Sequence, residues 1–448
     1  MSSSGFDSNC RNPVGTGSAE LSITNPISEE AFGWDVFVTE SATGEPILVV
    51  ADWESDTNGD DSGAVYLFTG DLRGDLSTTD ASARLFGYAP GDAAGSIVGA
   101  ANVDADPEPE LLIGVGGLDL ALGGGAIFVV DVPTSGDVVL DSATFPLVHG
   151  QSGILDGIGI AGEVVVGDFS GDDGLPELAL ATPFHGFGRG ALYVFEYPHT
   201  GQRSTDDAFY TYKDDLGGPK GVATDAACGD VDADGGDDLV LGARVGSTGF
   251  GEYTLIEGPL ARGVYAPADA THHSTEPGNH IDIGQAVDVG DFDGDGTVDI
   301  LVMGTRWDAG QDNRPRVWVL DDPMAATLGD GAMAVITGQG GNPLTGEGLM
   351  PEARFVGDLD GDGKADLALS TPSSDSVTVA FGGTVGTVDA SGLYGQSIGR
   401  PAFVVQGPTD SGLGFGIASG FVSSDSHTDL LLGAANGNLA SLIYGGRW

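Results

Sequence analysis

The chain has 448 residues, and 67 acidic against 16 basic side chains give it a formal net charge of −51. Nucleic acids and anionic membranes bind basic patches, so this composition argues against both as partners. No apolar stretch is long enough for a transmembrane helix. The 76 glycines and 22 prolines disfavour long helices. We therefore expect a β-rich protein that does not insert into membranes and is a monomer or part of a surface assembly, because strong like charge opposes self-association.

Short apolar runs recur along the chain, and an acidic residue opens each of them. These acids lie 61 to 67 residues apart, at Glu45, Glu110, Glu177, Asp238, Asp299, Asp366 and Asp429. A second apolar run follows each first run after a polar or Gly-rich connection, as in GAVYLF, GAIFVV and GALYVF. The runs are short, rich in β-branched and aromatic residues, and bounded by Gly, Pro and Asp, which is typical of strands.

The even period predicts one repeat architecture over the whole chain. Each unit has room for about four strands, too few to bury both faces of a sheet alone, and radial stacking solves this problem. We predict an all-β, seven-bladed β-propeller with four-stranded antiparallel blades, as a single domain over residues 18–448. The even period counts against a split into two domains. The segment Ala19–Thr24 alternates apolar and polar residues, so we expect it to complete blade seven, after a flexible tail over residues 1–17.

The loop before several of these runs carries side-chain oxygens at alternate positions. The sequence DFDGDGTVD, for example, places acids at positions 1, 3, 5 and 9 and a backbone carbonyl at position 7. Ca²⁺ prefers six to eight oxygen ligands from a flexible loop. The predicted ligands are Asp230, Asp232, Asp234, Gly236 and Asp238 in blade four; Asp291, Asp293, Asp295, Thr297 and Asp299 in blade five; and Asp358, Asp360, Asp362, Lys364 and Asp366 in blade six.

Two further loops keep the pattern less well. Blade two replaces the loop glycine with Pro107, and blade three is one residue longer than the pattern. Their candidate ligands are Asn102, Asp104, Asp106, Glu108 and Glu110 in blade two, and Asp168, Ser170, Asp172 and Glu177 in blade three. Blade one has no acidic run and blade seven begins with the apolar Phe421, so we expect three to five Ca²⁺ ions. Asp and Gly also favour turns without metal, but that interpretation does not explain the repeated alternate spacing.

These loops and turns resemble the FG-GAP repeats of the integrin α-subunit propeller. Phe32-Gly33 and Phe415-Gly416 stand at blade starts, and small-residue turns such as Ala181-Thr182-Pro183 follow the second strand. Other blades depart from the pattern, with Ala94-Gly95 or Ile283-Gly284 in place of Phe-Gly. The resemblance implies a seven-bladed propeller with Ca²⁺ between the first two strands of several blades, and extracellular adhesion or recognition.

The face opposite the calcium loops is the expected binding surface for a protein or glycan ligand. Aromatic and Arg side chains on the loops there suit such recognition; the candidates are Trp53, Phe184, Arg189, Arg306 and Trp307. Packing over the core is the alternative role for these aromatics. No nucleophile elbow or phosphate-binding loop occurs, so we expect no enzyme activity.

The leading hypothesis is an extracellular, secreted or cell-surface recognition propeller, with its leader removed. A carbohydrate-binding lectin or a polysaccharide-lyase-type enzyme on the same scaffold is the alternative. A cytoplasmic location is the second possibility for the compartment, because the sequence starts without a signal peptide.

Overall fold

The computed structural model describes most of the chain. The described residues are 14–15, 21–27, 31–70, 72–103, 106, 108–117, 124–150, 157–159, 163–171, 176–196, 201–213, 221–244, 251–274, 276, 280–306, 314–337, 352–389, 402–423 and 425–446.

The first half of the described chain consists of short strands joined by turns. The strands are β1 (Val14–Gly15), β2 (Leu21–Thr24), β3 (Val36–Glu40), β4 (Pro46–Asp52), β5 (Ala64–Phe68), β6 (Gly74–Ser77), β7 (Ala83–Gly87), β8 (Ala94–Ala101), β9 (Glu110–Val115), β10 (Ala126–Asp131), β11 (Gly136–Leu140), β12 (Leu147–His149), β13 (Val164–Gly167), β14 (Glu177–Thr182), β15 (Ala191–Phe195), β16 (Gln202–Ser204) and β17 (Tyr210–Lys213). One α-helix, α1 (His185–Gly188), lies between β14 and β15, and two single-turn 3-10 helices lie at Thr78–Asp80 and Thr205–Asp207.

The second half continues in the same way. Its strands are β18 (Asp225–Gly229), β19 (Asp238–Ala243), β20 (Glu252–Ile256), β21 (Gly263–Tyr265), β22 (His272–Ser274), β23 (His280–Gly290), β24 (Asp299–Arg306), β25 (Arg314–Leu320), β26 (Ala332–Thr337), β27 (Ala353–Phe355), β28 (Leu367–Thr371), β29 (Ser376–Ala380), β30 (Gly386–Asp389), β31 (Ala402–Gln406), β32 (Leu413–Gly420), β33 (Asp429–Ala434) and β34 (Leu439–Ile443). A second helix, α2 (Leu328–Gly331), precedes β26, and its first turn is capped by the Thr327 side chain.

The strands form seven sheets, one for each sequence repeat, which confirms the predicted seven-bladed β-propeller. Strands a to d of each blade pair antiparallel, from β3, β4, β5 and β7 in blade one to β32, β33, β34 and β2 in blade seven. The seven predicted anchors each lie at the start of strand b or one residue before it. The spacing of the acidic anchors in the sequence therefore equals the number of residues from one blade to the next.

Most blades have one strand more than the four predicted. Six of the seven described sheets contain five strands, and the fifth pairs in parallel with strand d. This outer strand comes from the c–d connection of the next blade; β11 of blade two, for example, pairs with β7 of blade one. Most outer strands are short and partly exposed, so they protect the edge of each blade without adding core.

The N-terminal segment closes the ring, as the alternation in its sequence predicts. Leu21–Thr24 pairs antiparallel with β34 as strand d of blade seven, and Leu21 and Ile23 are fully buried. The backbone of Val14–Gly15 pairs in parallel with Val405–Gln406, at the outer edge of blade six. The remainder of the predicted tail, residues 1–17, lies outside the described residues.

The hydrophobic core is distributed between blades. Seven clusters of buried side chains each join two neighbouring blades, and one of them joins blade seven to blade one. Strand b is buried along nearly its whole length in most blades, since it packs against neighbours on both faces; β9, β14 and β33 have no exposed residue. This sandwiching explains why strand b reads as a continuous apolar run rather than an alternating one.

Candidate metal loops and central cavity

The acidic loops lie between strands a and b of their blades. In an antiparallel sheet the a–b and b–c connections lie at opposite ends of strand b, so the acidic loops occupy one face of the ring and the b–c connections the other. The fold thus separates the candidate metal loops from the candidate ligand-binding loops.

The blade-five loop is folded by its own carboxylates. Asp291 Oδ1 accepts hydrogen bonds from the Gly294 and Asp295 amides, at 2.7 and 3.1 Å, and Asp291 Oδ2 accepts one from the Gly296 amide. Asp293 Oδ1 accepts from the Asp295 amide at 3.0 Å. These bonds turn the acids at positions 1, 3 and 5 toward one another.

The same arrangement is present in blades four and six. Asp358 accepts from the Gly361, Asp362 and Gly363 amides, and Asp230 accepts from the Gly235 amide. In three blades the carboxylate oxygens of three acids lie within 4.8 Å of one another; the groups are Asp230, Asp232 and Asp234, Asp291, Asp293 and Asp295, and Asp358, Asp360 and Asp366. The structure therefore brings together most of the acids predicted for these three loops.

The ninth-position acid has a role that the spacing did not reveal. Asp299 Oδ2 and Asp366 Oδ2 each accept the position-2 amide of their loop at 2.8 Å. Asp429 Oδ2 accepts the Val422 amide at the same distance, although blade seven has Phe421 at position 1. This acid therefore clamps the a–b hairpin whether or not the rest of the ligand set is present. The sequence did contain a signal for this role, because blade seven has the ninth-position acid although it lacks the acid at position 1.

The loop residues fit a hard cation. Their donor set is carboxylate and carbonyl oxygen, which Ca²⁺ prefers. Asp230 Oδ1 is buried without a hydrogen-bond partner among the described residues. Such an atom is costly to bury unless a cation or a donor contacts it. Burial raises the pKa of Asp366 to about 7 and, together with the Asp293 charge, that of Asp299 to about 7.

The loops of blades two and three, which match the ligand pattern less well, are described only in part. Asp104 and Asp172 lie outside the described residues, so neither complete ligand set can be assembled. In blade two, Glu108 Oε2 accepts the Ala42 amide of blade one at 3.0 Å, so this side chain reaches the neighbouring blade. In blade three, Glu177 Oε2 accepts the Phe169 amide, which is the ninth-position clamp again. Metal binding at both loops stays a prediction.

A cavity of about 790 Å³ lies on the axis of the ring. Its wall includes residues of the inner strand, or next to it, in all seven blades, such as Val36, Val98, Val164 and Phe415. The lining also includes Pro183, Phe184 and Gly188, which lie in the b–c connection of blade three. Among the described residues, none of the a–b loop acids lines it. The cavity therefore belongs to the face opposite the acidic loops.

Arg354 occupies the charged side of this cavity. Its Nη1 donates to Asp225 Oδ2 at 2.8 Å and its Nη2 to Glu163 Oε2 at 2.9 Å, while Glu352 Oε1 lies 3.4 Å from Nε. The Arg354 side chain is 21% exposed and that of Asp225 only 7%. One guanidinium from blade six thereby joins carboxylates of blades three and four across the axis.

More carboxylates surround this guanidinium than one positive charge can neutralise. Burial raises the pKa of Glu352 to about 8 and that of Asp35 and Asp288 to about 6, against the opposing effect of Arg354. Burial likewise raises the pKa of Glu163 well above its usual range, and Arg354 only partly offsets this. The cavity wall therefore carries carboxyl groups that titrate near neutral pH.

Comparison with known proteins relates one repeat of the chain, in blade six, to a known family. Residues 355–388, which run from the end of strand a of blade six through its acidic loop and strands b and c into β30, match the FG-GAP repeat. The chain is thus a seven-bladed β-propeller that contains a match to the FG-GAP repeat. Among solved structures, the Dos1 propeller is similar at 11% sequence identity, with 95% of this chain and 94% of that chain covered and a TM-score of 0.42. No curated protein sequence matches the chain.

The propeller places the predicted ligand-binding side chains in different surroundings. Phe184 lines the cavity and is 47% exposed. Trp53 packs edge-on against Trp34 at 5.7 Å, so it supports the cavity wall. Arg189 directly follows α1, and its amide donates to the His185 carbonyl. The Arg306 side chain and Trp307 lie outside the described residues.

Two cavity residues were missed by sequence reasoning, namely Trp34 and Arg354. Both lie on or beside an inner strand, where every blade of a propeller faces the axis. A sequence with only 16 basic residues that places an Arg on an inner strand carries a usable signal for an axial ion pair. Within the described part of the propeller, no helix is long and apolar enough to span a membrane.

Proposed function

We propose that this FG-GAP propeller is an extracellular, calcium-binding recognition protein that mediates contacts with other proteins or with cell surfaces. One observation carries the proposal: equivalent a–b loops of three consecutive blades each gather three carboxylates within 4.8 Å. Extracellular fluids supply Ca²⁺ at concentrations that suit weak to moderate sites of this kind. The residues Asp230–Asp238, Asp291–Asp299 and Asp358–Asp366 would hold the ions.

The ion has a structural role in this proposal. Three ionised carboxylates this close repel one another, by about 4 kcal/mol for a pair 4 Å apart at an effective dielectric constant of 20. A bound cation removes this repulsion and stabilises the folded state by mass action. The opposite face, with its axial cavity, is left for recognition, and we propose no enzyme activity.

A glycan is the second candidate for the ligand. Aromatic side chains at the cavity, including Trp34, Phe184 and Phe415, combine with a few polar groups in the manner of small-ligand sites. Binding to a glycan array that is lost in Phe184→Ala would favour this candidate. Turnover of an anionic polysaccharide would instead show the lyase-type alternative and contradict a purely recognitive role.

The calcium content tests the proposal directly. Native mass spectrometry of the desalted protein should show at least three bound Ca²⁺ ions, and the variants Asp232→Asn, Asp293→Asn and Asp360→Asn should each lose one. Asp425→Asn is the matched control, because blade seven has Phe421 at position 1 and should not change the count. A calcium-free protein, or equal counts in all four variants, would refute calcium binding at these loops.

A further inference from the structure

The axial cavity has the size and wall of a small-molecule site. Its volume of about 790 Å³ lies in the range of about 300–1,000 Å³ that is usual for such sites. Trp34 forms one side of it and stacks on Phe415 with ring centroids 5.2 Å apart and planes inclined by 30°. The Trp34 indole Nε1 donates to the Ser96 carbonyl at 3.3 Å, which fixes the ring against blade two. The aromatic wall is thus held in place from two neighbouring blades.

The polar part of the wall has an excess of negative charge. Asp35, Glu163, Asp282 and Glu352 line the cavity, against the two guanidinium groups of Arg244 and Arg354. Both guanidiniums already have carboxylate partners: Arg354 contacts Glu163 and Glu352, and Arg244 contacts Asp282 at 3.3 Å. Asp225 and Asp288 add further acid behind Arg354. The protein's own cations therefore do not balance the lining.

We propose that the axial cavity binds a small organic cation, a primary amine, with the ammonium group beside Asp35 and Glu163 and the carbon chain against Trp34 and Phe415. A desolvated ammonium gains both from carboxylate contacts and from the face of an aromatic ring. An anionic ligand would meet the acidic excess instead, and a neutral one would leave it uncompensated. This inference deepens the proposed recognition function, because it assigns a ligand class to the face opposite the calcium loops.

Proton linkage follows from the groups that face the site. The lining groups are Asp35 and Trp34 before β3, Glu163 before β13, Asp282 on β23, Arg244 after β19, and Glu352 and Arg354 at β27, while Asp225 on β18 and Asp288 on β23 lie behind Arg354. Burial raises the pKa of Asp35 to about 6 and that of Glu352 to about 8, so both are partly protonated near neutral pH. An ammonium ion favours the ionised carboxylates. Amine binding should therefore release protons and strengthen as the pH rises from 5 to 8.

Calorimetric titration with matched probes tests the proposal. Pentylamine is the cationic probe and pentan-1-ol its neutral analogue, each added to calcium-saturated protein at an ionic strength of about 0.15 M, which screens loosely held counterions. We expect one pentylamine per chain, no binding of pentan-1-ol, and an observed enthalpy that changes with the ionisation enthalpy of the buffer.

Two variants separate the cavity from general surface charge. Glu163→Gln keeps the shape of the side chain and should weaken pentylamine binding by about tenfold or more, the loss expected for one charge-assisted hydrogen bond. Glu196→Gln removes an exposed acid of the outer surface and should change nothing. Equal weakening in both variants, an unaffected Glu163→Gln, or multiple weak sites would show counterion binding only and overturn the proposal.

The result is independent of the calcium test. Failure of pentylamine to bind to protein that retains its three calcium ions would remove the amine site and leave the calcium-binding propeller intact. Saturating Ca²⁺ also keeps the amine away from the a–b loops. Circular dichroism of Glu163→Gln should match that of the unmodified protein, which confirms that weaker binding reflects the cavity.

Discussion

Replacement of Arg354 by Met should destabilise the propeller strongly, because it leaves several buried carboxylates without their cation. The guanidinium contacts Asp225 at 2.8 Å, Glu163 at 2.9 Å and Glu352 at 3.4 Å. Each such contact is worth about 4 kcal/mol before desolvation, for charges 4 Å apart at an effective dielectric constant of 20. Desolvation of the ions offsets most of this sum, and removal of one partner of a buried ion pair typically costs about 3–5 kcal/mol.

The expected fall in melting temperature follows from the size of the domain. An unfolding entropy of about 2.1 cal/mol/K per residue over 448 residues gives about 0.9 kcal/mol/K. A loss of about 3–5 kcal/mol then corresponds to about 3–5 °C, measurable by differential scanning calorimetry in saturating calcium. Arg84→Met is the matched control: its pair with Asp137 has the same chemistry, but the two side chains are 38% and 54% exposed. Exposed pairs of this kind contribute about 0–1 kcal/mol.

The destabilisation caused by Arg354→Met should depend on pH. Without Arg354, the surrounding carboxyl groups become harder to ionise in the folded state, so the destabilisation should be largest at pH 8 and smaller at pH 5, where the unionised form is favoured. If Arg354→Met melts no lower than Arg84→Met, or loses the same amount at both pH values, the buried cluster does not carry the charge assigned to it.

Three further outcomes are expected. Burial raises the folded-state pKa of Glu352 to about 8, above its ordinary 4.5, so this side chain lowers the free energy of unfolding increasingly from pH 4.5 to 8. In Glu352→Gln, urea unfolding should show a smaller fall of this free energy with pH, and an unchanged pH dependence would contradict the assignment. Deletion of residues 1–24 should cost about 3–6 kcal/mol relative to deletion of residues 1–20, because it also removes buried Leu21 and Ile23; equal urea midpoints would be inconsistent with the closure. Burial raises the pKa of the Cys228 thiol to about 12, so a Cys10→Ser protein should react with a thiol reagent at pH 8 only after unfolding, and rapid reaction of the folded protein would argue otherwise.

The blade count and the ring closure were accessible from the sequence because both depend on local pattern. The acidic anchors recur with every blade, and Glu110, Glu177 and Asp299 each open strand b. The alternation over Ala19–Thr24 predicted a half-buried strand, and β2 has that burial pattern. In a ring of stacked blades, the last blade has one vacant strand position, so local pattern and topology together were sufficient to predict that the N-terminal strand fills it.

The outer fifth strand was not predicted, although a signal for it exists. Three c–d connections contain a tight turn closed by an acid, at Ser77–Asp80, Ser204–Asp207 and Ala266–Asp269, in which the acid's carboxylate accepts the amide three residues before it. Each turn directly follows an outer strand. The strands themselves are only three or four residues long, and none of them contains a buried residue. Hydrophobic periodicity therefore could not identify them, whereas the repeated turn could.

The axial cluster was beyond sequence reasoning for a different reason. Arg354 bonds Glu163 and Asp225 across 191 and 129 residues of chain. Strand order alone does not specify which inner-strand side chains meet on the axis. Seven inner strands converge there, and the length of each side chain decides whether it contacts another across the axis. The three acidic loops, by contrast, are local, since each ligand set lies within nine consecutive residues.

The acidic loops of blades five and six also act beyond their own blade, because each is hydrogen-bonded to the next blade. The Ala365 amide of blade six donates to the Asp291 carbonyl of blade five at 2.8 Å, and the Thr428 amide of blade seven donates to the Asp358 carbonyl at 2.9 Å. The donor in both cases precedes the ninth-position acid of its own loop. A cation that orders position 1 of one loop thereby fixes the start of strand b in the neighbour. Calcium at these two loops would thus stabilise contacts between neighbouring blades as well as single hairpins, in a ring whose core lies between the blades.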